Sequence, residues 1–402
     1  MIRLVSIRLA LLLSCVCIFI HQSRLAFGVD SKHSWLDSVY QESLDMADAS
    51  FLIYTFSYIV EFARNHGDIE SVRFDENDDY VQNVLTTADF DRMLSRNLES
   101  LRKEFPSQFK NDLELQKSLE RLKKRSVDNS LTLQYFNDND QDKELVYAIA
   151  KDDKNERITL VFRGTENELA FFSDWRTNTS IRKIKAPLPK AINQEVSGIT
   201  NVYFHGGFYN YLFSETYTQD DLEGSRKFDE ILANVKKLTK EYPHYKLYVT
   251  GHSLGGALAS IASFYMSTDP DFSEPVTCIT SGAPRVGDYN YLKVSQILEK
   301  KGKLRFCRIV NDKDLVTLVP VWRYHHAGIQ IRLHSSEGEK PEITYLTENA
   351  SRAERMRLLW INSMFTGLNL KYDHGDYRER IKLHQKSLEF SLNKLYQKWN
   401  MN

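Results

Sequence analysis

Residues 246–259 read KLYVTGHSLGGALA and contain the most informative pattern of the chain. The first five residues have the character of a short apolar strand, and the run from Gly255 to Tyr265 has that of a buried helix. Between them lies a five-residue turn of the pattern G-x-S-x-G, centred on Ser253. Its two glycines, Gly251 and Gly255, remove Cβ atoms that would collide across a tight turn. The stretch therefore predicts a strand that passes sharply into a helix.

The chain around this turn alternates between strand-like and helix-like segments. This order is typical of parallel strands joined by crossover helices, so we expect an α/β fold whose mostly parallel central sheet is covered by helices on both faces. The predicted strands are Leu131–Phe136, Leu145–Ala150, Ile158–Phe162, Lys246–Thr250, Val276–Ser281 and Leu304–Val310. The predicted helices are Phe228–Leu238, Gly255–Tyr265 and Tyr289–Lys300.

A helical extension is predicted to precede the sheet. Leu44–Ala63 is largely apolar and aromatic over a helical length, which favours a helix lying against a larger core. The highly charged residues 89–125 indicate solvated helices or a peripheral hairpin, and the basic run Arg121–Arg125 fits a solvated helix end or a processing site. We therefore expect an N-terminal extension at residues 29–129 that packs on a core domain at residues 130–402.

The first 28 residues are similar to a signal peptide. Arg3 and Arg8 precede the apolar run Leu9–Ile20, and Ala26-Phe27-Gly28 fits a small-x-small cleavage site. A bilayer span needs about 20 apolar residues, which this run does not reach before His21. We expect residues 1–28 to be removed and the product to be secreted, or at least lumenal.

Composition excludes several classes of protein. Hydrophobic residues make up 42% of the chain and aromatic residues 12%, which is too apolar for a disordered protein. The 53 Lys and Arg residues are balanced by 54 Asp and Glu residues, so there is no basic field to attract nucleic acid. We expect no nucleic-acid partner.

Cysteine usage and glycosylation sequons give weaker indications. Beyond the leader only Cys278 and Cys307 remain, both in strand-like runs, so buried thiols are preferred over a single bridge. Asn178 and Asn349 stand in N-glycosylation sequons, which is compatible with secretion.

One segment imitates a metal site. Asp138, Asp140 and Asp142 match the start of a calcium loop, but Lys143 replaces the required glycine and Ile149 the closing glutamate. The calcium interpretation fails, and we expect neither a metal ion nor an organic cofactor.

The glycine-flanked turn carries the candidate chemistry. A serine held between a strand and a helix in this pattern is a candidate nucleophile, which makes Ser253 the first candidate catalytic residue. The N-terminus of the following helix points unpaired N–H groups at a developing oxyanion, with the N–H of Leu254 nearest.

A nucleophilic serine needs a histidine base and a carboxylate that orients it, in the chain order Ser, Asp, His for this type of turn. Asp314 follows the strand that ends at Val310, and Asp312 is a rival that the residues alone do not exclude. His374 stands out because it lies in a turn-like loop, where a mobile imidazole would reach Ser253. The histidines considered for the base are His325, His326, His334, His374 and His384.

Six blocks of sequence, in the same order, resemble the class 3 (fungal-type) lipase family, a branch of the α/β hydrolases. The resemblance covers roughly residues 130–380 and implies the α/β-hydrolase fold. The blocks are Leu160–Thr165, His205–Phe208, Gly251–Gly256, Ser281–Gly287, Asp314–Val316, and Asp373-His374 with Tyr377 behind.

The resemblance also implies roles for individual residues. Ser253 is the nucleophile, Asp314 rather than Asp312 orients the base, and His374 is the base. Thr165 joins Leu254 in the oxyanion hole, whereas His205 and Arg285 occupy positions that are architectural. Thr317 stands where the family usually has proline, which would weaken the loop that carries Asp314.

The function implied is that of a secreted serine ester hydrolase of acylglycerol-type lipids, which contacts a lipid–water interface peripherally. A phospholipase A1 or a galactolipase would use the same mechanism on another substrate. A lipase-like interaction protein that has lost catalysis is the alternative from a different class.

A lid is a further hypothesis. Leu169, Phe172 and Trp175 recur at the spacing of one helix face, with Phe171 alongside. An apolar face over the acyl pocket would turn outward at a lipid surface; the alternative is an ordinary helix that covers the core.

Overall fold

The computed structural model describes residues 38–66, 98–106, 112–128, 131–137, 145–165, 182–188, 192, 196, 198–216, 225–320, 323–336, 338–350 and 370–399. The strands among them are β1 (Thr132–Asn137), β2 (Tyr147–Asp152), β3 (Arg157–Phe162), β4 (Lys183–Pro187), β5 (Asn201–His205), β6 (Glu215–Thr216), β7 (Ser225–Arg226), β8 (Lys246–His252), β9 (Val276–Ser281), β10 (Leu304–Asn311), β11 (Ile329–Leu333) and β12 (Glu342–Tyr345).

One eight-stranded sheet forms the centre of the described structure, in the order β1-β2-β3-β8-β9-β10-β11-β12. Strands β3 and β8 to β11 run parallel, while β1, β2 and β12 pair antiparallel at the two edges. Strands β8, β9 and β10 are buried along nearly their whole length, as expected for parallel strands covered on both faces. The predicted α/β class and mostly parallel sheet are confirmed.

Helices cover both faces of this sheet. They are α1 (Val39–His66), α2 (Leu98–Glu104), α3 (Asp112–Val127), α4 (Gly206–Phe213), α5 (Lys227–Glu241), α6 (Leu254–Met266), α7 (Tyr289–Lys300), α8 (Leu370–Gly375), α9 (Tyr377–Leu383) and α10 (Leu392–Lys398). Helices α4 to α7 share one apolar cluster with the sheet. Helices α1 to α3 pack with β1 to β3, and α1, α9 and α10 pack with β8 to β11.

The predicted strands and helices lie within a few residues of those observed. Short strands that carry polar residues were not predicted, among them β11 and β12, which extend the sheet beyond β10. The predicted signal peptide and the imitation calcium loop lie outside the described residues. The domain boundary at residue 130 stays a prediction. Within the described ranges, no helix combines the length and apolar character needed to cross a bilayer.

Helix α1 is fixed to the sheet by buried polar contacts. Glu42 accepts hydrogen bonds from both terminal nitrogens of Arg305 at 3.2 and 3.3 Å, and from the Tyr248 hydroxyl at 2.6 Å. Asp45 accepts from Arg157 at 2.9 Å. All five side chains are buried. Because a displaced helix would leave these groups unpaired in the interior, the contacts hold α1 in one position along the sheet.

The ion pair between Glu42 and Arg305 yields a prediction for stability. Glu42→Met and Arg305→Met should each lower the free energy of unfolding by about 3–5 kcal/mol, because each leaves an uncompensated buried charge or donor. The double variant Glu42→Met with Arg305→Met should be more stable than either single variant. Urea unfolding measures all four proteins. A double variant that loses the sum of the two single losses would show that the pair is not coupled.

Candidate active site

Ser253 lies at the turn between β8 and α6, with φ 58° and ψ −124°. A positive φ is unusual for a residue with a side chain, and it marks a strained turn of the kind that presents a nucleophile. A Cβ at Gly251 would overlap the backbone of Gly255, and one at Gly255 would overlap the Phe162 carbonyl at the end of β3. The turn therefore closes tightly enough that neither flanking position admits a side chain.

The end of β3 packs directly against this turn. A Cβ at Gly164 would lie 2.6 Å from the His252 carbonyl oxygen and 3.3 Å from Ser253 Cβ. The next residue, Thr165, is half-buried and directly follows this backbone, which touches the strained turn Gly251–Gly255, or elbow. Leu254 is the first residue of α6 and is buried. Leu254 thus follows Ser253 directly in the chain, whereas Thr165 follows Gly164, whose backbone packs against Ser253; the role of both in an oxyanion hole stays a prediction.

His374 and Asp314 form a buried hydrogen bond. His374 Nδ1 lies 2.8 Å from Asp314 Oδ2, and both side chains are at most 2% exposed. A carboxylate oxygen accepts, so Nδ1 carries the proton and Nε2 is the basic nitrogen of the neutral ring. His374 belongs to the last turn of α8. The expectation of a mobile imidazole in a loop was wrong, because this residue is held inside the protein.

Asp314 is oriented from two further directions. The Tyr377 hydroxyl donates to Asp314 Oδ2 at 2.5 Å, and the Val316 N–H donates to Asp314 Oδ1 at 2.9 Å. Burial and the neighbouring carboxylate raise the pKa of Tyr377 well above its usual range, so the phenol remains a donor. Three donors therefore fix the position of this carboxylate.

Asp312 points elsewhere. Its Oδ1 accepts from Arg380 at 3.0 Å, and its Oδ2 lies 3.6 Å from His334 Nδ1. Arg380 also donates to Asp373 at 2.8 Å. The geometry therefore pairs His374 with Asp314 and gives Asp312 a role in a neighbouring ion-pair network.

The loop after Asp314 is held without the proline that the sequence comparison leads one to expect. The Thr317 hydroxyl donates to the Asp314 carbonyl at 2.8 Å. The buried Arg285 donates to the carbonyls of Leu318 and Pro320. Thr317 thus supplies a hydrogen bond within the loop, and the weakening expected from the missing proline stays a prediction.

Gly282 brings the elbow and the Asp314–His374 pair together. The Ser253 N–H donates to the Ser281 carbonyl at 3.0 Å, and the next residue, Gly282, has φ +64°. A Cβ at Gly282 would lie 3.0 Å from Tyr377 Cε2 and 3.1 Å from both Asp314 Oδ2 and His374 Cε1. The Ser253 hydroxyl itself is buried and makes no hydrogen bond with any described residue. No role for Gly282 was predicted from the sequence, because its backbone conformation leaves no periodic pattern.

Several sequence-predicted sites fall elsewhere. The lid residues Leu169, Phe171, Phe172 and Trp175, and the sequon at Asn178, lie outside the described residues. Asn349 is exposed. Cys278 and Cys307 are buried free thiols, as preferred, and burial raises the pKa of Cys278 to about 12. Across the described ranges, no group of three or more His, Cys, Asp or Glu side chains is arranged to hold a metal ion.

The strand order fits the α/β-hydrolase fold, with the strained turn at Ser253 and the Asp314–His374 pair at the carboxyl ends of its parallel strands. Residues 159–324, less than half of the chain, match the family profile Lipase (class 3). The matched residues include the elbow and Asp314 but end before His374 and begin after helix α1.

Two curated relatives are similar to slightly less than half of the chain. Phospholipase A(1) DAD1, chloroplastic, of Arabidopsis thaliana is 30% identical over 182 residues, which cover 45% of this chain and 36% of the relative. The lipase of Rhizomucor miehei is 29% identical over 202 residues, which cover 48% and 47% of the two chains. The chain thus spans between about a third and a half of the length of these relatives. A solved structure of the Rhizomucor miehei triacylglyceride lipase aligns with TM-score 0.43 at 23% identity, over 61% of this chain and 79% of that one.

Gly282 and Gly302 form a matched pair for testing the site. Both have φ near +65°, so alanine at either position costs about 1–2 kcal/mol in backbone strain. Only at Gly282 does a Cβ meet Tyr377, Asp314 and His374, whereas nothing lies within 4 Å at Gly302. Gly282→Ala should slow the reaction of Ser253 with a fluorophosphonate by roughly 10²-fold, because the imidazole is displaced.

The Gly302→Ala variant should react at the wild-type rate. Time courses of labelling by mass spectrometry measure both variants, and melting temperatures confirm that each is folded. Equal labelling rates in the two variants would mean that a side chain at position 282 does not displace the His374 imidazole.

Proposed function

We propose that the chain is a serine ester hydrolase that acts on acylglycerol-type lipids. The observation that carries the proposal is the buried 2.8 Å bond between His374 and Asp314 beside a serine at φ 58°. A neutral imidazole with a fixed Nδ1 proton presents Nε2 as a general base, and a strained turn presents the hydroxyl. The names of the relatives, a lipase and a phospholipase A(1), support a lipid ester as the substrate.

In the proposed reaction, Ser253 Oγ attacks the ester carbonyl carbon while His374 Nε2 takes the hydroxyl proton. The oxyanion of the tetrahedral intermediate is stabilised by the N–H groups of Leu254 and Thr165. Its collapse breaks the ester bond, His374 returns the proton to the leaving alcohol, and an acyl-enzyme remains. A water molecule then gives a proton to His374 Nε2 and attacks the acyl carbonyl carbon. The second tetrahedral intermediate collapses with release of the fatty acid, and His374 returns that proton to Ser253 Oγ, which restores the hydroxyl and the neutral imidazole.

A phospholipase A1 is the second candidate function. Further relatives named phospholipase A1, from Oryza sativa and Arabidopsis thaliana, are 31% and 33% identical over 33% and 40% of this chain. A galactolipase would use the same residues. Hydrolysis of emulsified triacylglycerol, phosphatidylcholine and galactolipid, measured side by side by fatty-acid release, separates the three substrates. Triacylglycerol should be cleaved fastest. If no fatty acid were released from any of the three substrates, the remaining interpretation would be a lipase-like interaction protein without catalysis.

The proposal includes action outside the cytoplasm at a lipid–water interface. Its support is the leader-like character of residues 1–28 and the lipid substrates that the relatives' names suggest. Sequencing the N-terminus of the protein recovered from the culture medium tests removal of the leader. Recovery only from the cell interior, with the leader intact, would contradict this part of the proposal.

Ser253→Ala should abolish ester hydrolysis without unfolding the protein. Loss of the nucleophile in other triads costs on the order of a million-fold in turnover. Ser260→Ala is the matched control, since Ser260 is buried in helix α6, which follows Ser253, and its hydroxyl donates only to the Gly256 carbonyl at 2.7 Å. The control should hydrolyse at the wild-type rate. Hydrolysis near the wild-type rate by folded Ser253→Ala protein would refute the assignment.

The two aspartates should respond differently to the same substitution. Asp314→Asn presents an amide to His374 Nδ1, favours the wrong tautomer and should lower kcat by about ten thousand-fold. Asp312→Asn should change kcat little, because its partners are Arg380 and His334. Steady-state kinetics on a soluble ester measures both variants. If Asp312→Asn were the more damaging change, the assignment of the orienting carboxylate would be wrong.

A further inference from the structure

His252, the residue before the proposed nucleophile, contacts the proposed base through its main chain. Its Nε2 lies 2.7 Å from the His374 carbonyl oxygen, and the centroids of the two imidazole rings are 4.5 Å apart. A carbonyl only accepts, so His252 Nε2 carries a proton and donates it. His252 is 2% exposed. The buried His252 ring therefore donates a hydrogen bond to the backbone of His374, the base of the proposed mechanism.

Helix α1 also packs against the His252 ring. The Phe51 ring centroid lies 4.7 Å from that of His252, and the Tyr54 hydroxyl lies 3.4 Å from His252 Nδ1. Because Nε2 carries the proton, Nδ1 of the neutral ring is the acceptor for this hydroxyl. Burial and the neighbouring His374 lower the pKa of His252 well below its usual range, which keeps the ring neutral.

The Tyr54 hydroxyl also touches the backbone that leads to the oxyanion residue. A Cβ at Gly164 would overlap Tyr54 Oη, so the α-carbon of Gly164 lies against this hydroxyl. The same α-carbon lies against His252 and Ser253, and Thr165 follows it in the chain. A single side chain from α1 thus reaches both the elbow and the end of β3.

The part of α1 that carries these aromatic residues is held firmly. Ser50, next to Phe51, has its hydroxyl 3.0 Å from that of Thr250, which precedes the elbow. Thr250 in turn donates to the Ile279 carbonyl at 2.6 Å. Together with the buried ion pairs of Glu42 and Asp45, these contacts make α1 a fixed support rather than a loose extension.

We propose that His252 is a positioning residue that holds the main chain of His374, and that Tyr54 and Phe51 of helix α1 hold His252. Helix α1, which lies outside the residues matched to the class 3 lipase family, is then a structural part of the active site. The inference rests on the proposed function, because it concerns the base of that reaction.

The test compares two substitutions of His252. His252→Gln keeps an N–H donor in the position of Nε2, whereas His252→Met fills similar space without one. On a soluble ester such as p-nitrophenyl butyrate, His252→Met should lower kcat by about 10²-fold with KM nearly unchanged, since a misplaced base slows chemistry rather than binding. His252→Gln should keep kcat within about tenfold of wild type, because it retains a donor for the hydrogen bond to the His374 carbonyl.

A purely structural role for His252 predicts a different result. It would make the two variants equally active, because both fill the site and neither is charged. Equal kcat values in the two variants, whether high or low, would overturn the proposal.

Tyr54→Phe provides a second test that keeps the packing. Removing the hydroxyl should lower kcat by about three- to tenfold, and Tyr58→Phe, the same change one turn along α1, should not. Tyr58 packs on Phe105, away from the elbow. In the His252→Met background, Tyr54→Phe should have no further effect on kcat, because the two residues act through one path. Additive losses would overturn the proposed path from α1 to His374.

The design separates this inference from the proposed function. If the wild-type protein hydrolyses no ester and Ser253 does not react with a fluorophosphonate, the proposed function fails. If the wild-type protein hydrolyses the ester and both His252 variants match it, only the positioning role fails.

Discussion

One buried hydrogen bond, from His374 Nδ1 to Asp314 Oδ2, organises the carboxyl edge of the sheet. A carboxylate inside a protein is tolerated only when donors satisfy it, and here an imidazole, a phenol and a backbone N–H do so. The same contact fixes which imidazole nitrogen is basic. Because Gly282 lacks a Cβ, the backbone after β9 passes close enough to place the elbow beside this pair. The position and tautomer of His374 and the packing of the elbow beside it thus depend on this hydrogen bond and on the absence of a side chain at Gly282.

The two faces of the sheet contribute differently to this arrangement. Helix α6 supplies the N-terminus behind Ser253 and belongs to the large apolar cluster on one face. Helix α1 lies on the other face and is attached by polar groups as well as by apolar packing. Apolar contact alone would allow a helix to slide, whereas paired buried charges specify one position at some cost in stability. That specificity matters here because Phe51 lies against the ring of His252.

Local patterns made part of this site predictable from the sequence. The elbow is predictable because its whole pattern lies in adjacent residues: two glycines flank the serine between an apolar strand and an apolar helix. Local patterns do not decide between Asp312 and Asp314, since both follow β10; the family resemblance favours Asp314, and the course of the backbone brings that carboxylate to His374. The contact of Tyr54 with His252 joins residues 198 apart, and no periodicity records it. The buried position of His374 was not predicted, because its flanking residues resemble those of a turn. In the structure these residues belong to the short helix α8.

The direct test of this account is to locate the ring proton of His374 by NMR, with histidine selectively labelled with ¹⁵N and Ser253→Ala protein used to exclude turnover. The account predicts a far-downfield proton, protected from exchange and coupled to Nδ1 of His374, that is lost in Asp314→Ala protein. A ring protonated at Nε2 with Nδ1 bare, or a downfield proton unaffected by loss of the Asp314 carboxylate, would contradict it.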